Sequence, residues 1–82
     1  MIIEVGDVAM IDSNSAMAEI LITLFYEKLF DPESFRLKYE IPKRRIIRYI
    51  SIARNALIEK QLYNYKIVYS KMDNLYYFIE NS

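Results

Sequence analysis

The sequence contains no cysteine and no histidine, and these two absences exclude much of the chemistry available to small proteins. Without cysteine there can be neither a disulfide nor a thiolate metal site. Without histidine the commonest metal ligand and the commonest general base are missing. The carboxylates do not have the spacing of a calcium loop, and there is no glycine-rich phosphate loop. We therefore expect a protein without enzymatic activity, metal or cofactor.

Long apolar runs and a basic N-terminus are absent as well. No stretch reaches the roughly 18 consecutive apolar residues of a membrane span, and the acidic N-terminus is unlike a signal peptide. We therefore expect a cytoplasmic protein that does not contact membranes. The 82 residues are predicted to form one domain, 1–82. A core of this size buries only roughly 60% of the unfolded surface, so association with a second copy is an expected source of stability.

The chain is neutral overall, but its charges are strongly segregated. Residues 1–34 contain one cation and seven carboxylates, a net charge of −6. Residues 35–71 contain ten cations and two carboxylates, a net charge of +8. Residues 72–82 add two carboxylates. Asymmetry of this size between segments is typical of proteins that bind nucleic acid or another anionic surface.

Capping residues and apolar periodicity predict three helices. Asp31 suits an N-cap, Pro32 the first helical position and Glu33 the first turn, so a helix is expected to start here. It ends before Pro42, because the residue preceding a proline avoids the helical conformation. The predicted segments are an N-terminal arm or strand (1–12), helix one (13–30), helix two (about 32–39) and helix three (about 42–61).

Helix one is apolar over most of its circumference, and a helix of this kind is buried on more than one side. In a chain this small, the second side is predicted to contact another copy of the protein. The residues assigned to this dimer interface are Met17, Ile20, Leu21, Leu24 and Phe25. On helix three, the predicted inner stripe consists of Ile46, Ile47, Ile50, Ala53, Leu57 and Ile58.

Two strand-like runs follow helix three, Tyr63–Tyr69 and Leu75–Ile79, and the polar residues 70–74 between them suit a turn. They predict a β-hairpin over 62–80. The tyrosines are interpreted as core residues and cross-strand pairs, although they also suit a stacking platform for single-stranded nucleic acid. The predicted fold class is mainly α with a small β-hairpin, an α+β fold.

Residues 35–50 (FRLKYEIPKRRIIRYI) contain a short helix, an apolar turn residue and a basic helix. Together with residues 57–62 (LIEKQL), which lead into the hairpin, this pattern resembles the winged helix-turn-helix family of DNA-binding domains. The resemblance covers about 31–80 and implies three helices plus a C-terminal wing, with the helix-turn-helix over 31–61.

Size and composition are similar to those of compact transcription regulators of archaea and their viruses. For a viral protein, the expected compartment is the cytoplasm of the host cell. The chain departs from the family pattern in three ways. Gln61 stands where glycine is frequent, helix three is about a turn longer than usual, and no strand is predicted between helices one and two.

The positive charge lies where a DNA-reading helix would need it, because such a helix enters the major groove with its N-terminal residues closest to the bases. Polar residues three or four positions apart share one face of helix three. Arginine can pair with guanine and asparagine with adenine on this face. Arg36 and Lys38 on helix two are expected near phosphate. The predicted DNA-binding residues are Lys38, Lys43, Arg44, Arg45, Arg48, Ser51, Asn55, Lys66 and Lys71.

We therefore expect a sequence-specific, double-stranded DNA-binding transcription regulator that acts as a homodimer through helix one and the N-terminal arm. The alternative is a protein-interaction module on a winged-helix scaffold, with the basic face meeting an acidic partner. Lys66 and Lys71 also suit edge charges that oppose aggregation, and Asn55 also suits plain polar surface. No residues indicate a pocket for a small-molecule ligand.

Overall fold

The computed structural model describes residues 3–5 and 8–81, and it confirms the α+β class. In chain order the elements are β1 (Ile3–Val5), β2 (Val8–Met10), α1 (Ser13–Glu27), β3 (Leu29–Phe30), α2 (Pro32–Tyr39), α3 (Lys43–Glu59), β4 (Tyr65–Ser70) and β5 (Leu75–Glu80). β1 and β2 form a two-stranded antiparallel sheet, and β3, β5 and β4, in that spatial order, form a three-stranded antiparallel sheet. No helix in this part of the chain is both long and apolar enough to cross a membrane.

The N-terminal segment, predicted as an arm or a strand, contains two paired strands. Their register runs from Ile3 opposite Met10 to Val5 opposite Val8. Residues 1, 2, 6 and 7 lie outside the described residues. β2 contacts α2, so this small sheet is attached to the helical side of the fold.

The prediction that helix one extends to residue 30, with no strand after it, is wrong. α1 starts after Asp12, whose carboxylate accepts a hydrogen bond of 2.8 Å from the N–H of Ser15. Lys28 takes the left-handed conformation, with φ at 69°, and this ends the helix and turns the chain into β3. The two residues of β3 then pair with β5: Leu29 is opposite Tyr77 and Phe30 is opposite Tyr76.

α2 has the predicted bounds because its start is well specified by side chains. Asp31 Oδ1 accepts hydrogen bonds from the backbone N–H groups of Glu33 and Ser34, at 3.1 and 3.3 Å, and such caps satisfy donors that a helix leaves unpaired. The turn to α3 is held by Ile41, whose side chain is buried in the core. α3 is shorter than predicted at both ends.

One apolar core joins the three helices to the three-stranded sheet. α3 contributes five buried residues that recur at three- and four-residue spacing: Ile46, Tyr49, Ile50, Ala53 and Leu57. The predicted inner stripe is therefore partly wrong, since Ile47 and Ile58 are 46% and 59% exposed. Each of these isoleucines directly follows a buried residue and is turned about 100° away from it around the helix.

The hairpin tyrosines form the cross-strand pairs expected of them. Tyr69 and Tyr76 lie opposite each other on β4 and β5, with ring centroids 5.0 Å apart. Tyr65 stacks on Phe78 at a centroid distance of 5.2 Å. Tyr63 precedes the strand and is exposed, so the paired part of the hairpin is shorter than the predicted 62–80.

Candidate nucleic-acid interface

The outer face of α3 carries the polar residues predicted to contact base edges. All four are exposed, and we call them the reading face: Arg44, Arg48, Ser51 and Asn55. Their spacing of four, three and four residues keeps them on one side of the helix. The buried residues of α3 lie on the opposite side, so the core supports this face without covering it.

The N-terminal turns of α3 hold a concentration of uncompensated positive charge. Its four cations are exposed, and we call them the basic cluster: Lys43, Arg44, Arg45 and Arg48. Within residues 3–5 and 8–81, none of them forms an ion pair. The three arginines line a common concavity. Guanidinium groups held together without carboxylate partners repel each other and are suited to bind an anion with several oxygen atoms.

Both cations of α2 are engaged with carboxylates. Arg36 donates to Glu33, with 2.6 Å between Nη2 and Oε1, and this contact lowers the pKa of Glu33 and raises that of Arg36. Lys38 Nζ lies 3.9 Å from Glu19 Oε2 on α1 and 4.9 Å from the ring centroid of Tyr39. Lys38, which was predicted to contact phosphate, is therefore held against Glu19 of α1 in the structure.

The two hairpin lysines are exposed but lie near opposite ends of α3. Lys66 lines an apolar groove with Ile58 and Leu62, at the C-terminal end of the helix. Lys71 is in the turn 71–74, and this turn lies near the N-terminal end, because Asn74 and Lys43 line one groove. Lys71 is thus closer than Lys66 to the basic cluster.

The residues assigned to the dimer interface divide into three groups. Ile20 and Leu24 are fully buried inside the single chain, so their assignment to an interface is wrong. Met17 and Leu21 are half-buried and pack against the core. Phe25 is exposed and meets Phe78 edge-on, with centroids 4.9 Å apart.

Sequence reasoning missed the most exposed apolar residues of α1. Ile22 and Tyr26 are 65% and 86% exposed. They belong to the apolar stripe of the helix, but the stripe is wider than the core can cover, and periodicity alone does not tell its two sides apart. Together with Phe25 they form an uncovered apolar surface, which we call the α1 outer face.

A further residue missed from the sequence is Arg54, in the middle of α3. Its Nε donates a hydrogen bond of 3.0 Å to the carbonyl oxygen of Ile67 on β4. Read along the chain, Arg54 is one of the ten cations of residues 35–71, and no sequence pattern distinguishes it.

Comparisons of this chain with models of known protein families, with curated proteins and with solved structures found no match.

Proposed function

We propose that this protein is a sequence-specific, double-stranded DNA-binding regulator of transcription of the winged helix-turn-helix type, acting as a homodimer. The observation that carries the proposal is the basic cluster at the N-terminal end of α3, where four exposed cations have no ion-pair partner among the described residues. Stability of the isolated chain gives no reason for this arrangement, because like charges at helical spacing repel.

The layout of the elements is compatible with a winged helix. α2, a short turn around Ile41 and α3 have the order of a helix-turn-helix, and the hairpin β4–β5 follows as the wing. β3 between the first two helices extends the hairpin sheet to three strands. Gln61 has φ at 60°, a conformation that glycine adopts at least cost, so the chain makes the turn into the wing without the glycine frequent in the family.

In the proposed complex, α3 enters the major groove with its N-terminal turns first. Arg44 and Arg48 can each bond the O6 and N7 acceptors of a guanine, and Asn55 can pair with adenine. Lys43 and Arg45 flank the reading face and would contact phosphates, which set the position of the protein without reading sequence.

The dimer is proposed to form through the α1 outer face. Phe25, Ile22 and Tyr26 are exposed apolar side chains on one helix, and their burial against a second copy removes apolar surface from water. A two-fold dimer would present two reading faces, and its target would then be an inverted repeat with half-sites about one helical turn apart.

Selection from a pool of random duplexes, followed by fluorescence anisotropy across a salt series, tests this function. We expect an inverted-repeat target and a linear decrease of log affinity with log salt, with a slope of about −0.9 per phosphate contact. The double variant Arg44→Ala/Arg48→Ala should abolish selective binding. The matched control Arg36→Ala/Lys60→Ala removes two cations away from the reading face and should retain the sequence preference. Equal affinity of parent and Arg44→Ala/Arg48→Ala for the selected duplex would disprove the assignment of the reading face.

A second candidate function is a protein-interaction module, and exposed apolar residues beside the basic cluster favour it. Ile47 and Ile52 are about half exposed on α3, and apolar residues among cations suit an acidic, partly apolar protein surface. Absence of duplex binding at low salt, together with a salt-sensitive complex with an acidic protein, would favour this function over DNA recognition.

A further inference from the structure

A groove runs between the N-terminal end of α3 and the β-hairpin, apart from the reading face. Its polar lining comes from Lys43 and Arg54 on α3 and from Tyr69, Asn74 and Tyr76 on the hairpin. The groove thus brings two cations, two phenols and an amide together from three elements and a turn. Apolar side chains from α3 and Pro32 of α2 complete its walls.

Tyr76 is the least expected member of this lining. Its side chain is 7% exposed, and its ring packs against Phe30 and Tyr69 at centroid distances of 6.5 and 5.0 Å. Its hydroxyl forms no hydrogen bond with any residue of 3–5 or 8–81, whereas the hydroxyls of Tyr39 and Tyr77 each donate to a carboxylate. The hydroxyl is not enclosed, unlike that of Tyr49 on α3, which is buried and has no partner among the described residues. An unpaired hydroxyl on a buried side chain that lines a groove is available to donate to a group bound there.

The protonation state of Tyr76 suits a hydrogen-bond donor. Burial raises the pKa of its phenol, and this effect outweighs the opposing influence of the Arg54 charge nearby. The hydroxyl is therefore protonated at neutral pH. A protonated phenol can donate to an oxygen anion whose charge is balanced by the neighbouring guanidinium.

The end of α3 that borders the groove adds positive potential. Its N-cap, Pro42, has no side chain that can accept a hydrogen bond, and its carbonyl oxygen accepts from Arg45 and Ile46. The N–H groups of Lys43 and Arg44 have no acceptor within the described residues. Unpaired N–H groups and the helix dipole both favour an anion at this end. Lys43 lies near enough to Glu33 to influence its carboxylate, and that carboxylate is already paired with Arg36.

We propose that this groove binds a phosphate group, with the hydroxyl of Tyr76 and the ammonium of Lys43 as donors and the guanidinium of Arg54 as a balancing charge. The phosphate has two chemical sources, the backbone of bound DNA and a free or small-molecule phosphate. Binding of the DNA backbone in this groove rests on the proposed function, whereas binding of a free or small-molecule phosphate does not.

The site is tested without DNA by titrating the protein with inorganic phosphate at constant ionic strength and following backbone amide signals by NMR. We expect saturable shifts of Lys43, Arg44 and Tyr76. Tyr76→Phe, which keeps the ring packing, and Lys43→Gln should each weaken this binding about tenfold, the effect of losing one hydrogen bond to a charged group. Tyr77→Phe is the matched control, because it removes a hydroxyl from the next residue, which donates to Asp73 at 2.6 Å on the other face of the sheet.

The same three variants, assayed with the selected duplex, distinguish the two sources. If DNA supplies the phosphate, Tyr76→Phe should lower DNA affinity about tenfold without changing the salt slope, since no charge is lost. If phosphate shifts the wild-type signals but Tyr76→Phe binds duplex normally, the site takes free phosphate. If phosphate causes no saturable shift and Tyr76→Phe binds duplex as tightly as Tyr77→Phe, the groove is not a phosphate site. That outcome leaves the proposed function standing as long as binding still depends on Arg44 and Arg48.

Discussion

Arg54 Nε donates a hydrogen bond of 3.0 Å to the carbonyl oxygen of Ile67, and this bond joins the middle of α3 to the outer edge of the hairpin sheet. β4 is an edge strand, because β5 separates it from β3. The N–H of Phe78 donates to Lys28 on the β3 side, so the backbone groups of its cross-strand partner Ile67 point away from β5. Arg54 thus occupies an edge acceptor that another strand could otherwise use.

Arg54→Met should loosen the hairpin from α3. The substitution keeps an unbranched side chain but removes the donor, so the free energy of unfolding is expected to fall by about 1 kcal/mol. Amide hydrogen exchange in β4 should become faster. Arg45→Met is the matched control, since Arg45 lies on the same helix, is exposed and bonds to no described side chain or carbonyl through its guanidinium. Equal losses of stability in the two variants would show that the bond to Ile67 contributes nothing.

Lys38→Gln should leave the salt dependence of DNA binding unchanged, whereas Arg45→Gln should reduce the slope by about 0.9. Lys38 is held between Glu19 and the ring of Tyr39, and the contact with Tyr39 raises the pKa of Lys38. Arg45 has no ion-pair partner among the described residues. Anisotropy titrations at several salt concentrations measure both slopes. A reduction for Lys38→Gln as large as that for Arg45→Gln would mean that Lys38 leaves Glu19 to reach phosphate.

The parts of the fold that follow from local chemistry were predictable from the sequence. α2 has its predicted bounds because Asp31 and Pro32 specify its start and Pro42 limits its continuation. The turn of the hairpin was predictable because the mainly polar residues 70–74 separate two strand-like runs. β3 was not, because two apolar residues after an apolar helix continue its pattern, and only pairing with β5 makes them a strand.

The residues of the candidate site likewise divide into those that local sequence predicts and those that depend on packing between elements. Exposure of Arg44, Arg48 and Asn55 follows from helical spacing relative to the apolar positions. The pairing of Lys38 with Glu19 and the bond from Arg54 to Ile67 join residues far apart in the chain. No pattern along the sequence indicates these two contacts, because each joins groups on different elements that meet only when the helices and the sheet pack together.

Acid should remove a stabilising contribution of Asp12 to α1. The N–H of Ser15 donates to its carboxylate and holds the pKa of Asp12 below its ordinary value of 3.8. Because the pKa of Asp12 is lower in the folded state than in the unfolded state, its charge stabilises the fold at pH values above the unfolded-state pKa. This stabilisation is lost as the pH falls through the folded-state pKa. Asn at this position keeps a capping oxygen but cannot titrate.

Thermal unfolding of the parent and of Asp12→Asn, followed by circular dichroism as a function of pH, measures this effect. The parent should lose stability relative to Asp12→Asn below about pH 3.8. Asp12→Ala, which has no capping oxygen, should be less stable than Asp12→Asn by an amount independent of pH. A constant difference between the parent and Asp12→Asn through the acid range would mean that the charge of Asp12 does not contribute.

Ile22→Glu should convert the proposed dimer into a folded monomer. Ile22 is 65% exposed on the α1 outer face, so a carboxylate there is solvated in the monomer but buried and unpaired in the dimer. Ile20→Glu, two residues earlier, places a charge in the core and should unfold the chain, which explains why buried positions cannot report on association. Ile58→Glu on α3 is the matched control, because it is similarly exposed on a surface not assigned to the dimer. Sedimentation equilibrium gives the mass, and circular dichroism confirms folding. A dimeric Ile22→Glu, or a monomeric parent at the concentrations used for DNA binding, would exclude the α1 outer face as the contact and with it the expected spacing of the half-sites.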